Sequence, residues 1–309
     1  VNRRTTLSAI AAAVTLPCGV RAADPTPLQM GAMPTDASAQ SFYGLDRNFF
    51  RDAGFDVKLT TLNNSATLAA AVASGTLEIG FGSVIPLAQA HLRGLDFRVI
   101  APAMIYNGTS PVNVIMAAKN SSVKSGADLN GQTVAVNGLR DLTQYTMQAW
   151  IDKNGGDVKS VKLIEMPFAE MGVALESGRV AAGILAEPFW TAALAQARVI
   201  GNGSAAVGNH FMVTCWFATT AWLGQNADTA KRLQAVLLQI ARWANANHAD
   251  TQSIITKYTK ISPEVAARMQ RAVIGETKPD PALIQPVIDV AVKYGGMQSL
   301  PASELIWQG

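Results

Sequence analysis

Short apolar runs alternate along the chain with amphipathic stretches, and each handover carries a glycine, a proline or a capping side chain. That pattern predicts strands and helices in turn, an α/β protein rather than an all-helical or all-β one. Two of the handovers repeat each other. "AVASGTLEIGFG" (71–82) and "ALESGRVAAGIL" (174–185) share the form A-[VL]-x-S-G-x-[LV]-x-x-G, with Gly75 and Gly178 offset by 103 and Gly80 and Gly183 by the same 103. Each copy reads as a helix ending at a left-handed glycine and passing at once into a buried strand. Each strand then meets a proline at the start of the next helix, Pro86 and Pro188.

The likeness extends upstream. "LQMGAMPTDASAQSFYGLDRNFFRDAGFDVKLTTL" and "QTVAVNGLRDLTQYTMQAWIDKNGGDVKSVKLIEM" both read strand, polar loop, amphipathic helix, turn, strand. The chain is therefore expected to hold two related α/β units of about a hundred residues each. "FRVIAPAMI" and "VNVIMAA" are expected to close the first unit, and "HFMVTCWFATTAWL" follows the second as a β-rich stretch. The remainder is helical. Asn226 is placed to cap one helix, Ser262 with Pro263 to start another, and a last helix runs from about Pro281 to Tyr294. With no sheet of its own, this tail is expected to pack back on the first unit. The divisions that follow are 23–115 for the first part of lobe I, 116–215 for lobe II and 216–309 for the second part of lobe I, with crossings near Val114 to Ala117 and Thr214 to Ala218.

Residues 1–22 read as an export signal: Arg3 and Arg4, an apolar stretch from Leu7 to Leu16, and an A-x-A-like site at Val20-Arg21-Ala22. The pair of arginines lacks the apolar residues of a twin-arginine signal, and Pro17 stands before Cys18 where a lipoprotein needs a small residue, so Sec export without a lipid is expected. No later segment offers the ~20 apolar residues of a membrane span. Removing the leader changes the charge. Arg3, Arg4 and Arg21 are lost from 25 basic residues, leaving 22 against 22 acidic ones, and a neutral protein gives no basis for a nucleic-acid or anionic-membrane partner. Only Cys215 then remains, which excludes an intrachain disulfide and a cysteine metal site. His91, His210 and His248 are scattered without ligand spacing, so neither metal nor cofactor is expected.

In open α/β sheets ligands sit beyond the carboxyl ends of the strands, where helix starts offer free N–H groups, and two facing lobes make one cleft. The runs "SGTLEIGFGSVIPLAQAHLRG", "DLNGQTVAVNGLRDLTQY", "SGRVAAGILAEPF" and "WFATTAWLGQNADTAKRL" together resemble the nitrate/sulfonate/taurine-type substrate-binding proteins of ABC importers, a group that includes binders of thiamine-pyrimidine precursors. The resemblance spans the chain after the leader. It implies a type II periplasmic-binding-protein fold, two α/β lobes joined by a two-strand hinge with a ligand cleft between them. It further implies a monomer in the periplasm that delivers a small solute to an inner-membrane permease without chemistry on it.

Candidate ligand contacts follow. Glu187, where the buried run "AGILA" ends, is placed to accept from a ligand N–H, or to be a helix-start acid with Pro188 as the first helical residue. Trp190 faces either the cleft or the core. In "VNGLRDLTQ", Gly138 permits close approach of backbone amides to anionic oxygens and Asp141 or Thr143 caps the helix, while Arg140 offers a fork to a carboxylate or sulfonate, or is solvated or paired with Asp141. Ser83, in "GFGSVIP", brings a hydroxyl and amides together at a helix start. Met33, Pro34 and Thr35 match where the family touches ligand; the alternative is that Thr35 or Asp36 caps the helix. Asn63 is a ligand donor or the cap of the helix beginning near Ser65, and Trp216 walls the cleft or packs in the core.

The expected function is capture of a sulfonate, taurine-like molecule, aromatic carboxylate or similar anion by lobe closure. The alternatives are a binder of a thiamine pyrimidine precursor, or an enzyme on the same fold, a pyrimidine synthase or a chorismate-dehydratase-like lyase. The chain lacks the "CCCFC" motif of that synthase.

Overall fold

The repeated pattern folds twice into the same sheet. A computed structural model describes residues 24–309, so the leader expected over 1–22 lies outside the described residues. The first half lays down β1 (Thr26–Ala32), β2 (Phe55–Thr61), β3 (Gly80–Gly82) and β4 (Phe97–Pro102), and β5 (Ile105–Tyr106) leads out of it. The second half contains β6 (Asn113–Ala118), β7 (Thr133–Val136), β8 (Lys162–Glu165), β9 (Ala182–Ala186) and β10 (Ala197–Asn202), and β11 (Phe211–Met212) and β12 (Cys215–Thr219) return. Lobe II is one sheet in the order β10-β6-β9-β7-β8. In lobe I, β1 pairs with β2 and meets the chain just before β3 through the Met30–Ile79 bridge, and β3-β12-β4 continue the sheet.

Both sheets thus share one plan. Three parallel strands come from the repeat, and one antiparallel strand lies between the third of them and the edge, β12 in lobe I and β6 in lobe II. Gly75 and Gly178 end their helices at φ 75° and 72°, the left-handed turn that the shared motif requires.

The antiparallel strands are exchanged between halves. "VNVIMAA" does not close the first unit but runs through lobe II as β6, and β12 runs through lobe I. The divisions expected at 115/116 and 215/216 therefore fall within or at the edge of these strands, and the chain crosses earlier, through antiparallel β5 and β11. Strands in mid-sheet are near-continuous apolar runs because both faces are covered, whereas β2, on an edge, alternates buried or half-buried residues with exposed ones from Phe55 to Thr60.

The tail does more than cover lobe I. Helix Ala227–Ala246 packs there along Leu233, Leu237, Ile240 and Ala244, with the Gln40 side chain donating to the Leu237 carbonyl at 3.1 Å. Asn226 holds the cap position, yet its amide donates to the Trp222 carbonyl at 3.0 Å. Residues 272–275 then run along the crossing: Ile105 N donates to Val273 O at 2.8 Å and Gly275 N to Ala103 O at 2.9 Å. A third segment thereby joins the two-strand hinge. Helix Pro281–Lys293 reaches lobe II, where Lys293 Nζ and Tyr294 Oη each lie 2.8 Å from Asp152. Among the described residues no helix is long and apolar enough to cross a membrane.

Candidate functional site between the lobes

The helix starts of both lobes converge on a small cavity of about 50 Å³. Lobe I contributes Met33, Thr35, Ala37, Ser65, Phe81 and Ser83; lobe II contributes Asn113, Asn137, Asp141, Leu142, Thr143, Phe168 and Ala186; Met104, Val213 and Thr214 come from the crossing. Apolar and polar residues share the lining equally, with Phe81 and Phe168 among the former and Ser83 and Asp141 among the latter.

Ser83 caps the helix Val84–His91, its Oγ accepting from Ile85 N at 3.3 Å. The same hydroxyl donates across the cleft to Asp141 Oδ1 in a short bond. Asp141 caps the helix Leu142–Lys153 and accepts from Leu142 N at 2.6 Å. Burial pushes the Asp141 carboxyl above its ordinary range, against the opposing hydrogen bonds from Ser83 and the Leu142 amide. Thr35 is buried at the cavity, and its Oγ1 has no hydrogen-bond partner.

Of the residues singled out from the sequence, the structure brings Met33, Thr35, Ser83 and Thr143 to the cavity wall. Pro34 is half-buried between two of them and is not part of the lining. Gly138 is buried beside it, its N–H donating to Thr143 Oγ1 at 3.2 Å. Asn63 is exposed in an outer groove that shares Asn137 with the cavity, and its neighbour Asn64 is the helix cap, accepting from Thr67 N at 2.9 Å. Arg140 is on the rim, with its guanidinium 3.4 Å from the Gly296 carbonyl rather than in the cavity. Trp216 is fully buried, its Nε1 donating to Gln40 Oε1 at 2.7 Å, and stands behind Phe81, 5.2 Å away ring to ring, so it does not wall the cleft. Trp190 is half-buried outside the lining set, with an unpartnered Nε1.

Glu187 also lies outside the lining set, one residue beyond Ala186. Its carboxylate accepts from Thr191 Oγ1 at 2.7 Å and from Gln270 N at 2.8 Å, and its carbonyl accepts from Asp36 N at 3.2 Å. It therefore ties lobe II to lobe I and to the tail. Asp36, rather than capping a helix, forms a buried pair with Arg271 at 3.0 Å. Burial raises the Glu187 carboxyl from 4.5 to about 7, with nearby Asp36 adding to the rise and the Thr191 and Gln270 bonds opposing it. Between those values the folded chain keeps a proton that the unfolded chain releases, so stability falls as pH rises through that window. Glu187→Gln is expected to remove this slope and to stabilise the protein above pH 7 by at most roughly 3 kcal/mol. Urea midpoints of both forms at pH 5 and pH 8 check it.

Sequence reasoning missed Ser65, Asn113, Asn137 and Phe168 as lining residues. The repeat offset of 103 carries two signals that find some of them: Ser65 maps to Phe168 and Ser83 to Ala186, and all four line the cavity. Asn113 sits at the start of the exchanged strand β6, where no repeat points to it.

The family model described as NMT1/THI5 like matches residues 37–250, most of the chain. The chain belongs to the NMT1/THI5-like family. No curated protein matches it significantly in sequence. Among solved structures, this NMT1/THI5-like chain is similar to the periplasmic aliphatic sulphonate binding protein SsuA from Escherichia coli, with a TM-score of 0.74 and 18% identity over 92% of this chain and 98% of that one. The alkanesulfonate-binding protein SsuA from Xanthomonas axonopodis pv. citri, bound to MOPS, gives a TM-score of 0.76 at 17% identity, over 93% and 99% of the two chains. The periplasmic nitrate-binding protein NrtA from Synechocystis gives 0.77 at 12% identity, over 91% and 84%. Identities this low carry the fold, and the fold is that of the periplasmic binding proteins.

Proposed function

We propose that this NMT1/THI5-like protein is a periplasmic receptor that captures a small organic solute by closing its two lobes and hands it to an ABC importer in the inner membrane. The carrying observation is the cavity itself, lined from both lobes and from the crossing between them. A solute lodged there touches both halves at once and so stabilises their approach. The named functions of the structural neighbours, which bind sulfonates and nitrate, support the reading. The domain division is then lobe I before β5 and after β11, with lobe II between, acting as a monomer. We read the protein as a carrier rather than an enzyme, because the solved structures that it resembles are named as binding proteins. The one cysteine of the described residues, Cys215, is buried, and burial pushes its thiol up.

The direct test is small-angle scattering of the purified protein with and without a stabilising solute, followed by recovery of that solute. Compaction with the solute returned unchanged is expected; turnover overturns the reading. Closure also depends on the lobe-to-lobe bonds at the mouth. Glu165 in lobe II accepts from Asn64 of lobe I at 3.1 Å and from Leu139 N of its own lobe at 2.9 Å. Glu165→Ala removes a cross-lobe bond worth about 1 kcal/mol, so solute affinity is expected to fall about five-fold, read by calorimetry, with the melting temperature of the solute-free protein nearly unchanged.

A further inference from the structure

Two buried carboxylates, one from each lobe, hold the same stretch of the tail. Glu187, one residue past β9 of lobe II, accepts from Gln270 N at 2.8 Å. Asp36, in the turn after β1 of lobe I, accepts from Ala272 N and from the Arg271 guanidinium. The lobes also touch directly here, Asp36 N donating to Glu187 O at 3.2 Å. Because Arg271 fastens the tail to lobe I, parting the lobes draws Glu187 away from Gln270 and Asp36 and opens its carboxyl to water. In the arrangement described, Glu187 is 4% exposed.

Resting on the receptor reading above and its closing lobes, we propose that Glu187 is a proton-operated tie between the lobes: closing takes up a proton on this carboxyl, and losing that proton lets the lobes part. Burial disfavours the charged form of a carboxyl, and here little offsets it. Glu187 Oε1 accepts from both the Thr191 hydroxyl at 2.7 Å and the Gln270 amide, whereas Oε2 meets Thr191 N at 3.3 Å and has room for the proton. When ionised, Glu187 is a second carboxylate beside Asp36, whose counter-charge is Arg271. The elements around it supply no other cation at close range among the described residues. β9 and the helix Phe189–Ala193 carry no titratable side chain, while Glu264 and Arg268 of the helix Pro263–Arg268, Glu170 of the helix Phe168–Glu176 and His248 are exposed. Tyr43, bonded to Arg271, stays neutral because burial pushes its phenol up. With burial holding the Glu187 carboxyl at about 7 in this arrangement, against an ordinary 4.5, closing binds a proton between those values. The closed fraction therefore falls as pH rises through that window, by at most about ten-fold per pH unit. A receptor built this way grips its solute more firmly in acid.

Spin labels at Asp52→Cys in lobe I and Lys159→Cys in lobe II, both exposed positions, read the distance between the lobes with no solute present, and Cys215 is buried out of reach of the label. From pH 8 to pH 5 the ratio of short to long distances is expected to rise at least five-fold. Adding Glu187→Gln, which is neutral at every pH and keeps an acceptor for Gln270 N, is expected to hold the ratio within two-fold of its pH 5 value throughout. Asp141 is the other buried carboxyl between the lobes, bonded across the cleft to Ser83. Asp141→Asn, whose amide still caps its helix, is expected to keep the rise. A ratio that does not move with pH, a rise as steep in Glu187→Gln, or a rise lost in Asp141→Asn alone overturns the inference. In each of those cases compaction with a periplasmic extract, read by scattering, leaves the receptor reading standing, and its absence removes that reading as well.

Discussion

Trp216→Ala is expected to cost about 4 kcal/mol, a large share of what holds a domain of this kind folded. Trp216 is fully buried in mid-sheet on β12, with the Phe81 ring 5.2 Å from it. Truncation leaves a cavity that a sheet paired on both sides of β12 cannot collapse to fill. It also strips Gln40 Oε1 of its buried donor, held at 2.7 Å. Trp216→Phe separates the two effects, since it keeps most of the ring volume and loses only the N–H, and a cost of about 1 to 2 kcal/mol is expected. Urea unfolding of the two variants decides it. A loss below about 1 kcal/mol for the alanine variant would place the ring outside the core.

Arg271→Met is the second large expectation, at about 3 to 5 kcal/mol. Arg271 pairs with Asp36 through Nε and Nη2, donates to Tyr43 Oη and Thr251 Oγ1 in short bonds, and reaches the His248 carbonyl at 3.4 Å. Burial works against the Arg271 charge, but Asp36 and Tyr43 hold its pKa above the ordinary value, and burial foremost pushes the Tyr43 phenol up. Methionine fills the space but leaves Asp36, 1% exposed, without its counter-charge. The remedy locates the cause: adding Asp36→Asn removes the stranded charge while keeping an acceptor for Ala272 N, and the double variant is expected to recover at least half of the loss. If the double variant is as unstable as Arg271→Met, packing and not charge sets the cost.

The parts of the fold that were legible in the sequence are those encoded locally. The repeat, its two left-handed glycines, the cap at Ser262 and the tail helix from Pro281 each depend on residues a few positions apart, and each takes the predicted form. The parts that were not legible depend on pairing across long spans. Asp36 reads as a cap until Arg271 arrives from 235 positions away, and Arg140 reads as an anion fork until Gly296 approaches it. The exchange of β6 and β12 is hidden for the same reason, since an apolar run declares that it is buried and not in which sheet. Asp141 and Thr143 are both candidate caps from the sequence, and Asp141 is the cap; only the fold reveals that it also faces the cavity.

The third segment at the crossing limits how the two halves can move. β5 is bonded to β11 on one side and to residues 273–275 on the other, and Asn245 clasps Ile274 through both its N–H and its carbonyl at 3.1 and 2.8 Å. A ribbon three strands wide bends readily across its face and resists twist about its length. The joint should accordingly swing like a door, along one arc, and present the same rim to whatever docks on it after every cycle.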